Sequence, residues 1–95
     1  MSEIITKAVE RLQAGVGRFD GGTAKFVIPG EGAIMLDADG VREGDDEADV
    51  TLTASAEVFE AVLEGRMNPT SAFMTGKLKI DGSMGKAMQL ASVLG

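Results

Sequence analysis

The sequence predicts an α+β fold in which one layer of helices covers one face of a mainly antiparallel sheet. Three observations carry that reading. Apolar residues recur at helical spacing at both ends of the chain, and period-two alternation separated by glycine-rich turns fills residues 18–53. The compact stretch from Asn68 to Gly85 then holds a helix start, a helix stop, a short strand, a turn and a second helix start. An order of helix, strands, two helices, strand and helix places helices against a sheet rather than between parallel strands.

Residues 2–14 read as an amphipathic helix with Ile4, Ile5, Ala8, Val9 and Leu12 on one side, ended by Gly15. Arg18-Phe19 enters a short strand, and Asp20-Gly21-Gly22 is a hairpin turn. Thr23–Ile28 alternates with Ala24, Phe26 and Ile28 on one face, and Pro29-Gly30-Glu31-Gly32 turns again. Ala33–Ala38 places Ile34 and Leu36 inward, Asp39-Gly40 closes it, and Val41–Glu43 returns as a short edge strand. Ala48–Thr53 makes the next strand. Ser55 caps a helix with Val58, Phe59, Val62 and Leu63 on its face, Glu57 suits its positive end, and Gly65 stops it.

Asn68-Pro69 reads as a helix cap and first helical residue, and Gly76 as the left-handed stop. Lys77-Leu78-Lys79-Ile80 alternates, with Leu78 and Ile80 on one face and both lysines on the other. Asp81-Gly82 is a turn signal and Ser83 caps a last helix. Met84, Ala87, Met88, Ala91 and Leu94 form the broad apolar side of that helix, widened by Leu90 and Val93.

Ninety-five residues make a single domain, 1–95, with one core. The absence of cysteine and histidine excludes disulfides, sulfur or imidazole zinc sites, and Cys-His or Ser-His-Asp catalysis. No apolar run approaches the ~20 residues needed to span a bilayer, and no secretory leader or peroxisomal C-terminal address is visible. A soluble cytoplasmic protein is the expectation. The net charge of −6 is unevenly spread: residues 37–49 hold seven acids against Arg42, whereas residues 66–95 carry four bases against Asp81. Nucleic acid is not an expected partner, because the chain is acidic and lacks Trp and Tyr.

Motifs for chemistry fail on inspection. Ser83-Met84-Gly85-Lys86 spells Ser-x-x-Lys without its partner motifs, so a helix cap is preferred. Asp37-Ala38-Asp39-Gly40 begins like a calcium loop, but glycine falls at position 4 and Ala48 at position 12. Gly15-Val16-Gly17 follows a helix rather than a strand, and the acids at 45–47 sit in a polar loop where solubility is their role. No cofactor, metal or enzymatic activity is expected. What stands out is the set Met35, Met67, Met74, Met84 and Met88 with Phe26, Phe59 and Phe73, since methionine suits irregular or changing apolar partners.

The pattern Asn68-Pro69-x-Ser71-Ala72-Phe73-x-x-Gly76-Lys77-Leu78-Lys79-Ile80-x-Gly82-x-Met84-x-x-Ala87-Met88 closely resembles the C-terminal half of the sterol carrier protein 2 family. The likeness is specific from residue 48 onward and rests on element order before it. It implies a five-stranded sheet covered by helices, with a hydrophobic tunnel between them for fatty acid, fatty acyl-CoA, phospholipid or sterol, and transfer of such lipids without covalent chemistry. On matching positions Phe73, Met74, Leu78, Ile80, Met84 and Met88 would line or border the tunnel, with Gly76 and Gly82 as backbone pivots. Phe26, Ile34, Leu36, Phe59, Val62 and Ala91 complete the candidate ligand contacts, and Lys77, Lys79 and Lys86 are candidates for head groups. Thr75 stands where relatives often carry glutamine, which weakens an expected polar contact. The end at Gly95 without an address suits a small bacterial stand-alone member. Expected partners are a lipid or fatty acyl ligand and transient contact with a membrane surface, with the protein a monomer or weak dimer. The alternative is an accessory module docking through its apolar C-terminal helix on an enzyme or a second copy.

Overall fold

The computed structural model describes residues 3–94; the expected helix start at Ser2 and the end at Gly95 lie outside the described residues. The sheet is built from β1 (Ala24–Ile28), β2 (Gly32–Asp37), β3 (Gly40–Glu43), β4 (Val50–Thr53) and β5 (Lys79–Gly82), in the spatial order β3-β2-β1-β4-β5. The helices are α1 (Glu3–Gly15), α2 (Ala56–Leu63), α3 (Pro69–Met74) and α4 (Met84–Leu94).

Alternation along each strand converts directly into rows across the sheet. Ile34, Phe26, Leu52 and Ile80 face one another across β2, β1, β4 and β5, and Val41, Leu36, Ala24 and Val50 form the row beside them. Onto this face α1 delivers Ile5 and Leu12, α2 delivers Phe59, and α4 delivers Ala87 and Leu90, all buried in one core. Phe26 and Phe59 meet edge to face, 5.5 Å between ring centroids at 78°, an arrangement that adds ~0.5–1.5 kcal/mol beyond the area buried. No polar or charged residue is buried among the described residues.

The central pair corrects the expectation of a mainly antiparallel sheet. β1 and β4 run parallel, with Phe26 opposite Leu52, while the β1–β2, β2–β3 and β4–β5 contacts are antiparallel, so the sheet is mixed. The reason lies in the loop after β3, which crosses to the free edge of β1 instead of reversing beside β3. The Gly44 amide donates to the Ala33 carbonyl, Lys25 pairs with Asp45 at 2.8 Å, and the Asp49 amide donates to the Thr23 carbonyl. The acidic loop thus does more than solubilise: it lies over the sheet face away from the helices and helps to bury Met35, whose side chain reaches Gly44.

Three local readings also change. Arg18-Phe19 is not a strand, so Asp20-Gly21-Gly22 is a loop leading into β1 and not a hairpin; Phe19 instead anchors the loop, its ring buried and its amide donating to the Asp37 carbonyl. α1 runs through Gly15, and the Val16 and Gly17 amides both close on the Leu12 carbonyl. Asp81-Gly82 ends β5 instead of turning after it, paired with Thr51 and Val50. Gly82 has φ +98°, and a Cβ there would lie 2.4 Å from the Asp49 carbonyl oxygen. Only glycine lets the two backbones approach this closely.

Candidate functional site

The corner made by α3, β5 and α4 is set by short-range capping. The Asn68 side-chain oxygen accepts from the Thr70 and Ser71 amides at 2.8 and 3.2 Å, and Pro69 fills the first helical position. Thr75 closes the six-residue helix, its hydroxyl donating to the Ser71 carbonyl at 2.9 Å, so that oxygen serves the helix end. Gly76, with φ +79°, then lets the Lys77 and Leu78 amides share the Ala72 carbonyl and turns the chain into β5. Ser83 begins α4 by accepting from the Lys86 amide at 3.2 Å. The Lys86 ammonium donates to the Gly21 carbonyl, so Ser83 and Lys86 cap and tether instead of forming a nucleophile and base.

Between these elements lies an apolar cleft. Leu52, Leu78 and Ile80 line its sheet side, Pro69, Thr70 and Phe73 its α3 wall, and Met84, Ala87, Met88 and Ala91 its α4 wall. Its internal volume is about 20 Å³, roughly room for one water and far too little for an acyl chain. In the place expected for a tunnel, the structure holds a nearly closed cleft. Among the described residues, several of the exposed large apolar side chains lie at or beside its mouth: Met74 is 79% exposed, Met88 60%, Met84 46% and Phe73 37%. Methionine has three rotatable side-chain bonds, so this rim can rearrange at low cost in strain.

The expected ligand contacts divide. Phe73, Leu78, Ile80, Met84, Met88 and Ala91 converge on the cleft, and Met74 projects to solvent beside it. Phe26, Ile34, Leu36 and Val62 are buried away from the cleft walls, and Phe59, also buried, lines a different space between α1 and α2. Lys77 and Lys79 are exposed and share an open groove of about 430 Å³ with Glu31 and Glu57, while Lys86 is held by Gly21.

A second apolar space was not expected from the sequence. α1 and α2 flank a crevice of about 270 Å³ lined by Ile4, Ala8, Ile28, Phe59 and Leu63, with Lys7, Arg11, Glu57 and Glu60 also at its walls. Arg11 bridges to Glu64 at 3.0 Å and Arg66 pairs with the same carboxylate at 2.7 Å; the Arg66 hydrogen bond above all holds the Glu64 carboxyl below its ordinary range. The sequence signal for it was the apolar faces of two helices far apart along the chain.

The calcium-like loop is also spoken for. Arg42 donates to both Asp37 oxygens at 3.1 and 2.9 Å, the Asp39 amide adds a third bond, and the Asp37 carboxyl is held below its ordinary range mainly by Arg42. No acidic group suited to a metal ion occurs among the described residues.

The SCP-2 sterol transfer family matches residues 4–95. The chain belongs to this family. The SCP-2 domain is 37% identical to hydroxysteroid dehydrogenase-like protein 2 of Xenopus laevis over 94% of this chain and 24% of that protein. It is 44% identical to sterol carrier protein 2 of Rattus norvegicus over 67% of this chain and 11% of that one. It therefore spans about a quarter or less of the curated relatives it matches. Among solved structures, sterol carrier protein 2 like 2 of Aedes aegypti superposes with a TM-score of 0.79 at 25% identity over 95% of both chains. A palmitated form of the mosquito SCP2L2 gives 0.76 at 26% identity, over 99% of this chain and 95% of the other. In this SCP-2 domain, no helix among the described residues is long and apolar enough to cross a membrane.

Proposed function

We propose that this SCP-2 domain binds and carries lipids within the cell, holding an acyl chain between α3, α4 and the sheet without covalent chemistry. The observation that carries the reading is the apolar cleft lined by Phe73, Met84 and Met88, within the residues that match the family. Fatty acid is the first ligand class to consider, because the palmitated mosquito relative is similar over nearly the whole chain. An acyl chain would enter the cleft as methionine and phenylalanine side chains at its walls change rotamer. Native mass spectrometry of freshly purified protein, followed by solvent extraction, tests this. A discrete adduct resolving to an acyl lipid is expected. A clean mass that gains nothing on incubation with a lipid panel would turn the assignment toward a docking module.

A further inference from the structure

We infer that β5 is a self-pairing edge, through which two copies of this chain join antiparallel about a two-fold axis at Ile80. The inference stands apart from the lipid-carrier reading and adds a partner to it, a second copy.

The hydrogen-bond parity of the sheet decides which backbone groups of β5 are free. The Ala54 amide donates to the Val27 carbonyl, so the even-numbered residues of β4 serve β1 and the odd-numbered ones serve β5. The Ser83 amide, donating to the Asp49 carbonyl, continues that parity from the other strand. Lys79 and Asp81 are therefore the β5 residues that exchange bonds with Thr53 and Thr51. Each planar trans peptide points its N–H and its C=O in opposite directions. The Leu78 carbonyl, the Ile80 amide and carbonyl, and the Gly82 amide are thus aimed away from β4. β5 is the last strand of the sheet, and no hydrogen bond among the described residues closes on these groups.

A second copy supplies the matching set. In an antiparallel pair centred on Ile80, each Ile80 amide meets the Ile80 carbonyl of the other copy, and each Gly82 amide meets a Leu78 carbonyl. Lys79 then stands opposite Asp81 of the second copy, twice, at the non-hydrogen-bonded positions where facing side chains come closest. Both residues are exposed, and strand parity puts both on the sheet face away from the helices. Charges on an edge strand usually discourage pairing. Opposite signs two residues apart on one strand do the reverse for their own two-fold image, because each charge meets its complement. The other edge lacks this property: β3 lies within the segment 37–49 with its net −6, so two copies brought together there repel. Ile80 is also a wall of the cleft, and the axis stands perpendicular to the joined sheet, so the two clefts become neighbours on the same side of it.

Sedimentation velocity of the full chain over a concentration series tests the inference, with circular dichroism confirming that each variant is folded. A monomer–dimer equilibrium is expected. Lys79→Glu and Asp81→Lys each turn two opposite-charge cross-strand pairs into like-charge ones and should singly weaken the dimer about 30-fold. Together they restore opposite charges and should return the dissociation constant to within about threefold of the unaltered chain. Hydrogen exchange reads the backbone directly: the Ile80 amide, unbonded in the monomer, should exchange more slowly as the dimer forms. A monomer at every concentration up to about 1 mM, a dimer that neither single substitution weakens or that the double substitution fails to restore, or open-ended growth with concentration would each overturn the inference. So would an Ile80 amide whose exchange is indifferent to dimer formation.

Discussion

Plugging the cleft should abolish lipid stabilisation. Accepting an acyl chain requires a pocket of about 300 Å³, so the cleft must grow from about 20 Å³ by roughly 280 Å³. At about 24 cal/mol per Å³ of dry cavity, the empty open form lies up to ~7 kcal/mol above the closed one, against a total stability of about 5–15 kcal/mol. The open form is thus populated when filled and hardly otherwise. Palmitate at a hundred times its dissociation constant stabilises by ~2.7 kcal/mol, which at about 4–8 °C per kcal/mol for a domain of this size raises Tm by ~10–20 °C. Ala91 lies half-buried in the α4 wall, and Ala91→Phe fills the space the ligand would enter. Overpacking costs ~1 kcal/mol at such a site, near the low end of the usual range, so the ligand-free Tm falls by ~4–8 °C and the palmitate-induced rise shrinks to under about 3 °C. Thermal melts followed by circular dichroism, with and without palmitate, measure both. A full palmitate-induced rise in the Ala91→Phe protein would refute the placement; its loss in Ala56→Phe, which fills the α1–α2 crevice, would put the chain there.

Local structure sets two further outcomes. Gly82→Ala forces a methyl group to within 2.4 Å of the Asp49 carbonyl at a positive φ, and urea denaturation should show a loss of ~2 kcal/mol or more; a loss below about 0.5 kcal/mol would mean the β4–β5 approach is not as close as described. Asp37 and Glu64 have folded pKa values below their unfolded ones, so the stability they contribute is present above the unfolded values and is lost as pH falls through the folded ones, below about pH 4. Asp37→Asn should therefore flatten the acid limb of the stability–pH curve, and an unchanged limb would show that the Arg42 pair contributes nothing in solution.

What the residues disclosed was mostly what is short in range. Asn68-Pro69 and Ser83 cap helices as their chemistry requires, and the strands around Phe26 and Ile34 point inward by simple alternation. The parallel β1–β4 pairing was hidden because alternation in Ala24–Ile28 says which face is buried and nothing about which neighbour arrives, or from which end. Asp81-Gly82 carried a turn signal, yet the requirement for glycine came from the carbonyl of Asp49, far back along the chain. The same limit applies to the site. Residues 69–91 gather at the cleft because caps and strand parity bring near neighbours together, whereas the α1–α2 crevice joins Ile4 to Leu63 through tertiary packing alone.

The strand order has a kinetic corollary. β1, β2 and β3 form a meander of short-range hairpins, whereas β4 reaches the other edge of β1 across the intervening hairpin and β5 pairs with β4, so loop-closure entropy favours the meander closing first. On that order the wall and mouth of the cleft are expected to be the last part of the chain to assemble. Amides of β5 should exchange with deuterium sooner than those of β1 and β2, through partial openings that detach the α3–β5–α4 corner while the meander stays closed. Such an opening offers a bulky lipid a way in that leaves the rest of the core undisturbed.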